Sequence, residues 1–80
     1  MFYYVYILQS TTNPCKYYTG FTEDLSSRLS KHNEGGSTFT AKDKPWEIKN
    51  AFAFDDKEKA LEFERYLKSH SGRAFAQKHF

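Results

Sequence analysis

The sequence predicts a single α+β domain in which a small three-stranded antiparallel sheet is flanked by helices. A segment rich in Tyr, Val and Ile, residues 3–9, is followed by a polar turn that contains Pro14 and by a returning segment, residues 17–21, which predicts a β-hairpin. Two amphipathic stretches follow, with a third strand-like segment between them. The predicted order is therefore β-β-α-β-α-α, counting a short terminal helix, and the domain covers residues 1–80.

The first helix is predicted from its start signal and its apolar spacing. Thr22 is a candidate N-cap, two acidic residues follow it as first-turn acids, and Leu25 and Leu29 give an i, i+4 apolar pair. We expect the helix to end near Asn33, where Glu-Gly-Gly follows. Residues 35–45 are polar and long for a connection in a compact domain, which favours a functional loop.

A third strand is predicted over residues 46–54, and a helix follows it. Four side chains of this strand are available to pack in the core: Trp46, Ile48, Phe52 and Phe54. Asp55 or Asp56 is expected to start the second helix, which runs to about His70. A Ser-Gly pair breaks it, and residues 73–80 are expected to form the short terminal helix.

Composition limits the class of protein. The chain has 80 residues, of which 39% are hydrophobic and 19% aromatic, so we predict a small globular domain whose core is built mainly from rings. Cys15 is the only cysteine, which excludes an internal disulfide framework and a cysteine-rich zinc site; we expect a half-buried loop thiol in a reducing compartment. Neither a signal peptide nor a membrane-spanning segment is recognisable. We expect a cytoplasmic monomer or weak dimer.

The charge distribution is consistent with a nucleic-acid partner. The formal net charge is +2, but no Asp or Glu follows Glu64, while basic residues continue towards the end of the chain. Together with two lysines of the central loop, these cations would form a basic face for a phosphate backbone. The candidate nucleic-acid contacts are Lys42, Lys44, Lys68, Arg73 and Lys78. The alternative is an ordinary solvated helix end, whose cations suit the negative end of the helix dipole.

Glu64 is an unusual residue of the second helix. At 100° per residue, Ala60, Phe63 and Leu67 share an apolar face, and Glu64 lies on the margin of that face. A carboxylate in this position is costly to desolvate unless it is paired or binds a metal. The alternative to a metal ligand is an i, i+4 ion pair with Lys68, worth only about 0.3–0.5 kcal/mol at a surface. Without further evidence, the ion pair is the simpler interpretation.

The first helix carries a second pair of interest. Arg28 and His32 are four residues apart, so they lie on one side of the helix, close to the strand that carries Tyr18. Arginine can hold a phosphate through two hydrogen bonds, and histidine titrates near neutral pH. The alternative is a surface arginine and a histidine at the helix end, and helix spacing alone does not exclude it.

Taken together, these residues resemble the GIY-YIG endonuclease domain. The two signature tripeptides of that family lie on the strands of an opening hairpin, and here they appear as YVY at residues 4–6 and YTG at residues 18–20. The family's Arg and its His or Tyr one turn later appear in DLSSRLSKHN, and its single later Glu appears in KALEFERYLKSHSGR. The likeness spans nearly the whole chain. It is closest to the small stand-alone bacterial branch, which is similar to the nuclease domain at the start of the repair excinuclease.

The sequence departs from the family pattern at three positions. Tyr4 stands where the first signature has Gly and Thr19 where the second has Ile, and both are substitutions that a strand tolerates. Phe21 follows the second signature, where several members carry a basic residue. No separate DNA-reading domain is recognisable, so we expect a low sequence preference, or one supplied by a protein partner. Tyr3, Tyr4 and Tyr17 are interpreted as sheet packing.

The resemblance also implies a role for each site residue. Glu64 would be the only protein carboxylate on one divalent ion, Mg²⁺ or Mn²⁺. Arg28 would clamp the scissile phosphate, and Tyr6 would orient the water or the phosphate by a hydrogen bond. Tyr18 would be the general base. A phenol with a pKa of about 10 is ionised only to about one part in a thousand at pH 7, so His32 is the second candidate.

The resemblance implies a divalent-metal-dependent endonuclease that hydrolyses DNA phosphodiester bonds, in DNA repair or recombination. DNA is the expected partner, and no membrane association is expected. The chief alternative is a catalytically idle nucleic-acid-binding module of the same fold, and a third is a small partner-binding subunit. Retention of both Glu64 and Arg28 argues against the idle module, since loss of catalysis would leave no reason to keep the two together.

Overall fold

The computed structural model of the chain describes residues 1–35, 41–69 and 78. Its strands are β1 (Tyr3–Ser10), β2 (Tyr17–Thr22) and β3 (Trp46–Phe54), and its helices are α1 (Leu25–Asn33) and α2 (Lys57–Lys68). A short 3-10 helix, Ala41–Asp43, precedes β3. The strands form one antiparallel sheet in the order β2-β1-β3. The predicted α+β class and its three-stranded antiparallel sheet are confirmed.

The central strand β1 separates two packed faces of the sheet. Because side chains alternate along a strand, its odd-numbered residues point to one face and its even-numbered residues to the other. The odd face packs on α2, through Val5, Ile7, Ala60 and Leu67. The even face packs on α1, through Tyr6, Leu8, Trp46, Leu25 and Leu29. We call these the α2 face and the α1 face.

A bulge in the pairing of β1 with β3 divides the apolar residues of β3 between the two faces. Ile7 pairs with Asn50 but Leu8 pairs with Ile48, so one residue of β3 is skipped. As a result, Phe52 packs on the α2 face, whereas Ile48 lies on the side of the α1 face. Ile48 is 38% exposed there, and it is not part of the cluster that Trp46 forms with Leu8. The prediction that Ile48 packs in the core was therefore wrong.

The start of α1 also differs from the prediction. Its N-cap is Asp24, whose carboxylate accepts a hydrogen bond from the amide of Ser27 at 3.1 Å. Thr22 is instead the last residue of β2, and its hydroxyl accepts from the amide of Asp24 at 3.1 Å. The two predicted first-turn acids, Glu23 and Asp24, precede the helix, because β2 extends one residue further than the apolar pattern indicated.

The second helix begins as predicted and ends slightly earlier. Asp56 is its N-cap and accepts from the amide of Glu58 at 2.9 Å. The helix ends at Lys68 with Ser69 as its C-cap. The predicted end at His70 lies outside the described residues. So does the predicted terminal helix, of which the structure describes only Lys78, an exposed residue.

Two residues near the β1–β2 turn are more exposed than predicted. Cys15 is exposed in the turn itself, and not half-buried. Tyr17 is 47% exposed, and the ammonium of Lys49 lies 5.1 Å from its ring centroid. Tyr3, by contrast, stacks on Phe21 with ring centroids 6.2 Å apart, as expected for sheet packing. Neither described helix is long and apolar enough to cross a membrane.

Candidate active site

The hydroxyl of Tyr6 joins α1 to the middle of the sheet. It lies 3.1 Å from Nε2 of His32 and accepts a hydrogen bond from Nε of Arg28 at 3.4 Å. The i, i+4 spacing of Arg28 and His32 places both on the side of α1 that faces β1. Tyr6 is 1% exposed and His32 is 2% exposed. The hydrogen bonds therefore satisfy polar groups that would be costly to bury alone.

Burial sets the protonation of this pair. Desolvation lowers the pKa of His32, and the nearby charge of Arg28 lowers it further. Desolvation also raises the pKa of Tyr6, although its hydrogen bond with Arg28 acts in the opposite direction. At neutral pH the pair is a neutral phenol and a neutral imidazole. A guanidinium can only donate hydrogen bonds, so the Tyr6 oxygen accepts from Arg28. The phenol proton of Tyr6 is then available to Nε2 of His32, which accepts it when His32 carries its own proton on Nδ1.

The last residue of the second tripeptide, Gly20, is needed for the position of Tyr6. Gly20 pairs with Tyr6 across β1 and β2. A Cβ atom on Gly20 would collide with the hydroxyl and the ring of Tyr6. From the sequence, this glycine was recognised only as part of a signature. The sequence did contain one indication of its role: Gly20 lies inside a predicted strand, and a glycine there often marks a place where another group approaches the backbone closely.

Tyr18 lies at the border between this buried pair and solvent. Its ring centroid is 4.8 Å from that of His32 and 6.4 Å from that of Tyr6. Tyr18 is only partly buried. The prediction that α1 places His32 close to the strand carrying Tyr18 is confirmed.

The α1 helix is held in this position by Asn33, which follows His32. The side-chain amide of Asn33 donates to the carbonyl of Trp46 at 3.0 Å, and its oxygen accepts from the Trp46 amide. This pair of hydrogen bonds ties the last turn of α1 to the start of β3. It was not predicted from the sequence, because the two residues are separated by the long loop.

Glu64 reaches the same site from α2. Its carboxylate forms an ion pair with Lys68 at 3.1 Å, and the ammonium of Lys68 lies 5.9 Å from the ring centroid of Tyr18. The charge of Glu64 also contributes to raising the pKa of Tyr6, after larger contributions from burial and Tyr18. The predicted ion pair is therefore present. The two interpretations of Glu64, metal ligand and ion-pair partner, concern the same carboxylate, which is linked to Tyr18 through Lys68.

Five predicted residues thus converge, and they divide into two groups by exposure. Tyr6 and His32 are buried. Tyr18 and Glu64 are partly buried, and Arg28 is exposed. The second group is accessible to a substrate, whereas the first supports it from beneath. The predicted direct contact of Tyr6 with water or phosphate remains a prediction.

The predicted nucleic-acid contacts are more scattered. Lys42 and Lys44 are exposed, in and just after the 3-10 helix, and the ammonium of Lys44 approaches Gly35 beyond the end of α1. Lys68 is at the site itself. Lys78 is exposed, and Arg73 lies outside the described residues.

A sequence model of the GIY-YIG catalytic domain matches residues 2–78, which is nearly the whole chain. The chain belongs to the GIY-YIG family. The predicted family membership is confirmed. Membership assigns the chain to a family of nucleases.

Relatives of this GIY-YIG chain include small proteins and part of a larger one. It is 38% identical over 77 residues to the UPF0213 protein BH0048 of Halalkalibacterium halodurans, covering 91% of this chain and 77% of that protein. A solution NMR structure of the UPF0213 protein BH0048 from Bacillus halodurans matches with a TM-score of 0.57 at 36% identity, covering 96% of this chain and 81% of that chain. The chain is also 40% identical over 73 residues to the structure-specific endonuclease subunit SLX1 of Debaryomyces hansenii, covering 82% of this chain and 21% of that protein.

Proposed function

We propose that this GIY-YIG chain is a divalent-metal-dependent endonuclease that hydrolyses DNA phosphodiester bonds. The observation that carries the proposal is that Tyr18 and Arg28 contact the buried pair of Tyr6 and His32, with Glu64 linked to Tyr18 through Lys68. Hydrolysis of a phosphodiester requires a base for the attacking water, a cation for the phosphoryl oxygens, and stabilisation of the leaving oxygen. The convergent side chains are of the types that can meet these requirements.

The donor set at Glu64 fits a hard divalent ion that keeps most of its own water. Among the described residues, no group of three or more His, Cys, Asp or Glu side chains could hold a metal, which does not fit a closed zinc site. Mg²⁺ fits because it is usually held by one or two carboxylates, waters and phosphate oxygens of the substrate. Glu64 would be its protein ligand. A bound Mg²⁺ or Mn²⁺ would supply charge neutralisation and a more acidic water.

Exposure favours Tyr18 over His32 as the general base. His32 is 2% exposed, and its Nε2 contacts the Tyr6 hydroxyl, so water reaches it only if the buried pair opens. Tyr18 is partly exposed and lies directly beside the His32 ring. Arg28 is held by Tyr6 through Nε, and its two terminal nitrogens are the atoms that would bind a phosphate. Tyr6 and His32 would then act by positioning Arg28 and Tyr18.

The likeness to an endonuclease subunit supports DNA as the substrate. The exposed Lys42, Lys44 and Lys78, with Lys68 at the site and Arg73, would contact the phosphate backbone outside the scissile bond. Cleavage in DNA repair or recombination, with any sequence preference supplied by a protein partner, completes the proposal.

One observation favours the second candidate, a catalytically idle nucleic-acid-binding module. The Glu64 carboxylate already has a partner, Lys68, at 3.1 Å. If this pair persists on DNA, Glu64 is not available to a metal, and the remaining cations still bind phosphate. The two candidates therefore differ in the fate of a single carboxylate.

The experiment that decides between them is a cleavage assay on Glu64→Gln. Labelled duplex, single-stranded and branched DNAs are incubated with protein and Mg²⁺, Mn²⁺ or EDTA. We expect Glu64→Gln to lower the rate by at least about a hundredfold, because several kcal/mol of charge stabilisation would be lost. DNA binding should be similar or slightly tighter, because removal of a carboxylate relieves repulsion of phosphate.

The matched control is Glu62→Gln, which makes the same chemical change at an exposed position of the same helix. It should cleave like the wild type. If Glu64→Gln also cleaves at the wild-type rate, or if the wild type binds DNA but cleaves none of the substrates with either metal, the idle module is the better account.

A further inference from the structure

We propose that Lys68 is the built-in counter-ion of Glu64 and competes with the divalent ion for its carboxylate. This inference rests on the proposed function, because it assigns to one residue a control over metal binding at the same site. The Glu64 carboxylate would pair with Lys68 before the metal binds and with the metal afterwards. Lys68 would hold Glu64 in place before the metal binds and would leave when it does.

The geometry of the pair carries the inference. Nζ of Lys68 lies 3.1 Å from Oε2 of Glu64, and the two side chains are 48% and 17% exposed. The same ammonium lies 5.9 Å from the ring centroid of Tyr18. A cation thus already lies in contact with the candidate metal ligand and near the candidate base.

The charges explain why the ammonium and the metal compete. Glu64 is at the margin of an apolar cluster, so its carboxylate needs a compensating charge. Within the described residues no further acidic groups assemble with it into a metal-binding cluster. An ammonium and a divalent ion that share one carboxylate repel each other at this short distance. Binding of either one must therefore weaken binding of the other to the same extent.

The strength of the pair makes this exchange practicable. Lys68 is about half exposed, and ion pairs between residues with i, i+4 spacing at a helix surface are weak. A divalent ion with higher charge can therefore displace the ammonium without disrupting the fold. The released side chain remains on the same helix turn, close to Tyr18, where a DNA phosphate would approach. Lys68 would thus be a positioning residue first and a phosphate contact afterwards.

The test is a titration of the DNA-free protein with Mn²⁺, in which electron paramagnetic resonance measures the unbound ion. We expect Lys68→Met to bind Mn²⁺ about two- to fivefold more tightly than the wild type, which corresponds to the loss of a weak competing ion pair. Lys68→Arg should restore the wild-type affinity, because arginine keeps the competing charge. Glu64→Gln should lose this binding.

The control variant for the loss of one positive charge is Lys57→Met, because Lys57 is exposed and lies at the opposite end of α2. It should leave the Mn²⁺ affinity unchanged. An affinity of Lys68→Met equal to or below that of the wild type, including undetectable binding by both, overturns the role of Lys68. If that happens while Mg²⁺-dependent cleavage still requires Glu64, the proposed function stands. Cleavage in EDTA, or by Glu64→Gln, would instead overturn the proposed function.

Discussion

The two faces of the sheet are built by the same strand but bury different chemistry. On the α2 face, Val5 and Ile7 of β1 pack against Ala60 and Leu67, and the buried residues of this cluster are all apolar. On the α1 face, the next side chains along the strand include Tyr6, whose buried hydroxyl contacts His32. Polar groups are costly to bury and gain little even when they are hydrogen-bonded. The apolar cluster of the α2 face therefore contributes mainly stability, with Glu64 at its margin, and the α1 face holds polar groups in fixed positions.

This difference matters because the domain is small. A chain of 80 residues buries only about 60–65% of the surface that its unfolded form exposes, so its stability is modest. A site made of buried Tyr and His is tolerated only if another part of the molecule is well packed. Substitutions in the two buried clusters should therefore affect the free energy of unfolding and the cleavage rate to different extents.

The largest expected effect is loss of cleavage in Tyr18→Phe. If Tyr18 is the general base, the variant should lose at least about a hundredfold in rate at every pH, with stability almost unchanged because Tyr18 is partly exposed. Tyr17→Phe is the matched control, since it is the neighbouring tyrosine of the same strand and faces away from Tyr18. The measurements are single-turnover cleavage rates and urea unfolding curves of each variant.

The pH profile of His32→Ala distinguishes the two candidate bases. With Tyr18 as the base, this variant should be slow, and its rate should still rise with pH above neutrality. Burial lowers the pKa of His32 from its ordinary value of about 6.5. If His32 is the base, the wild-type rate should therefore rise with pH only up to this lowered pKa and stay constant above it. Substantial activity in Tyr18→Phe would refute the assignment of Tyr18. Repeating each profile with Mn²⁺ identifies an inflection that belongs to metal-bound water.

A pair of adjacent substitutions, Ile7→Ala and Leu8→Ala, compares the two faces directly. Each should lower the free energy of unfolding by about 2–5 kcal/mol, because each leaves a cavity in a buried cluster. Ile7→Ala should keep the cleavage rate of its folded fraction. Leu8→Ala should also lower that rate, because Leu8 pairs with Tyr18 and packs in its cluster. Equal rates for the two folded variants would mean that the faces do not divide stability from catalysis.

The smallest expected effect is a dependence of stability on pH that arises from His32. Its pKa is lowered in the folded protein, so near a pH of about 6.5 the unfolded chain binds more protons than the folded one. The contribution of neutral His32 to the free energy of unfolding is complete above this pH. It is lost as the pH falls from about 6.5 through the lower pKa that His32 has in the folded protein. The urea midpoint should therefore decrease between about pH 7.5 and 5.5. His32→Gln should reduce this decrease, whereas Ile7→Ala, on the face without a buried histidine, should retain it.

Local patterns in the sequence were sufficient for the three strands and the two α-helices that the structure describes, and the resemblance to a family supplied the set of candidate site residues. Strand-forming residues around Pro14 predicted the hairpin, and the i, i+4 pair of Leu25 and Leu29 predicted the side of α1 that packs on the sheet. Spacing along one helix also predicted that Arg28 and His32 lie together. These predictions succeeded because each depends on backbone periodicity over a few residues.

The sequence by itself determined the order of the three strands and the two described α-helices, the family, and the five residues from which the candidate site is built. The tertiary structure decided which of these residues face solvent. The bulge that divides β3 between two faces, the burial of Tyr6 against His32, and the approach of Lys68 to Tyr18 all depend on contacts between distant segments. Periodicity cannot predict these, because the register of two strands and the approach of a helix to a sheet edge are set by packing of the whole domain.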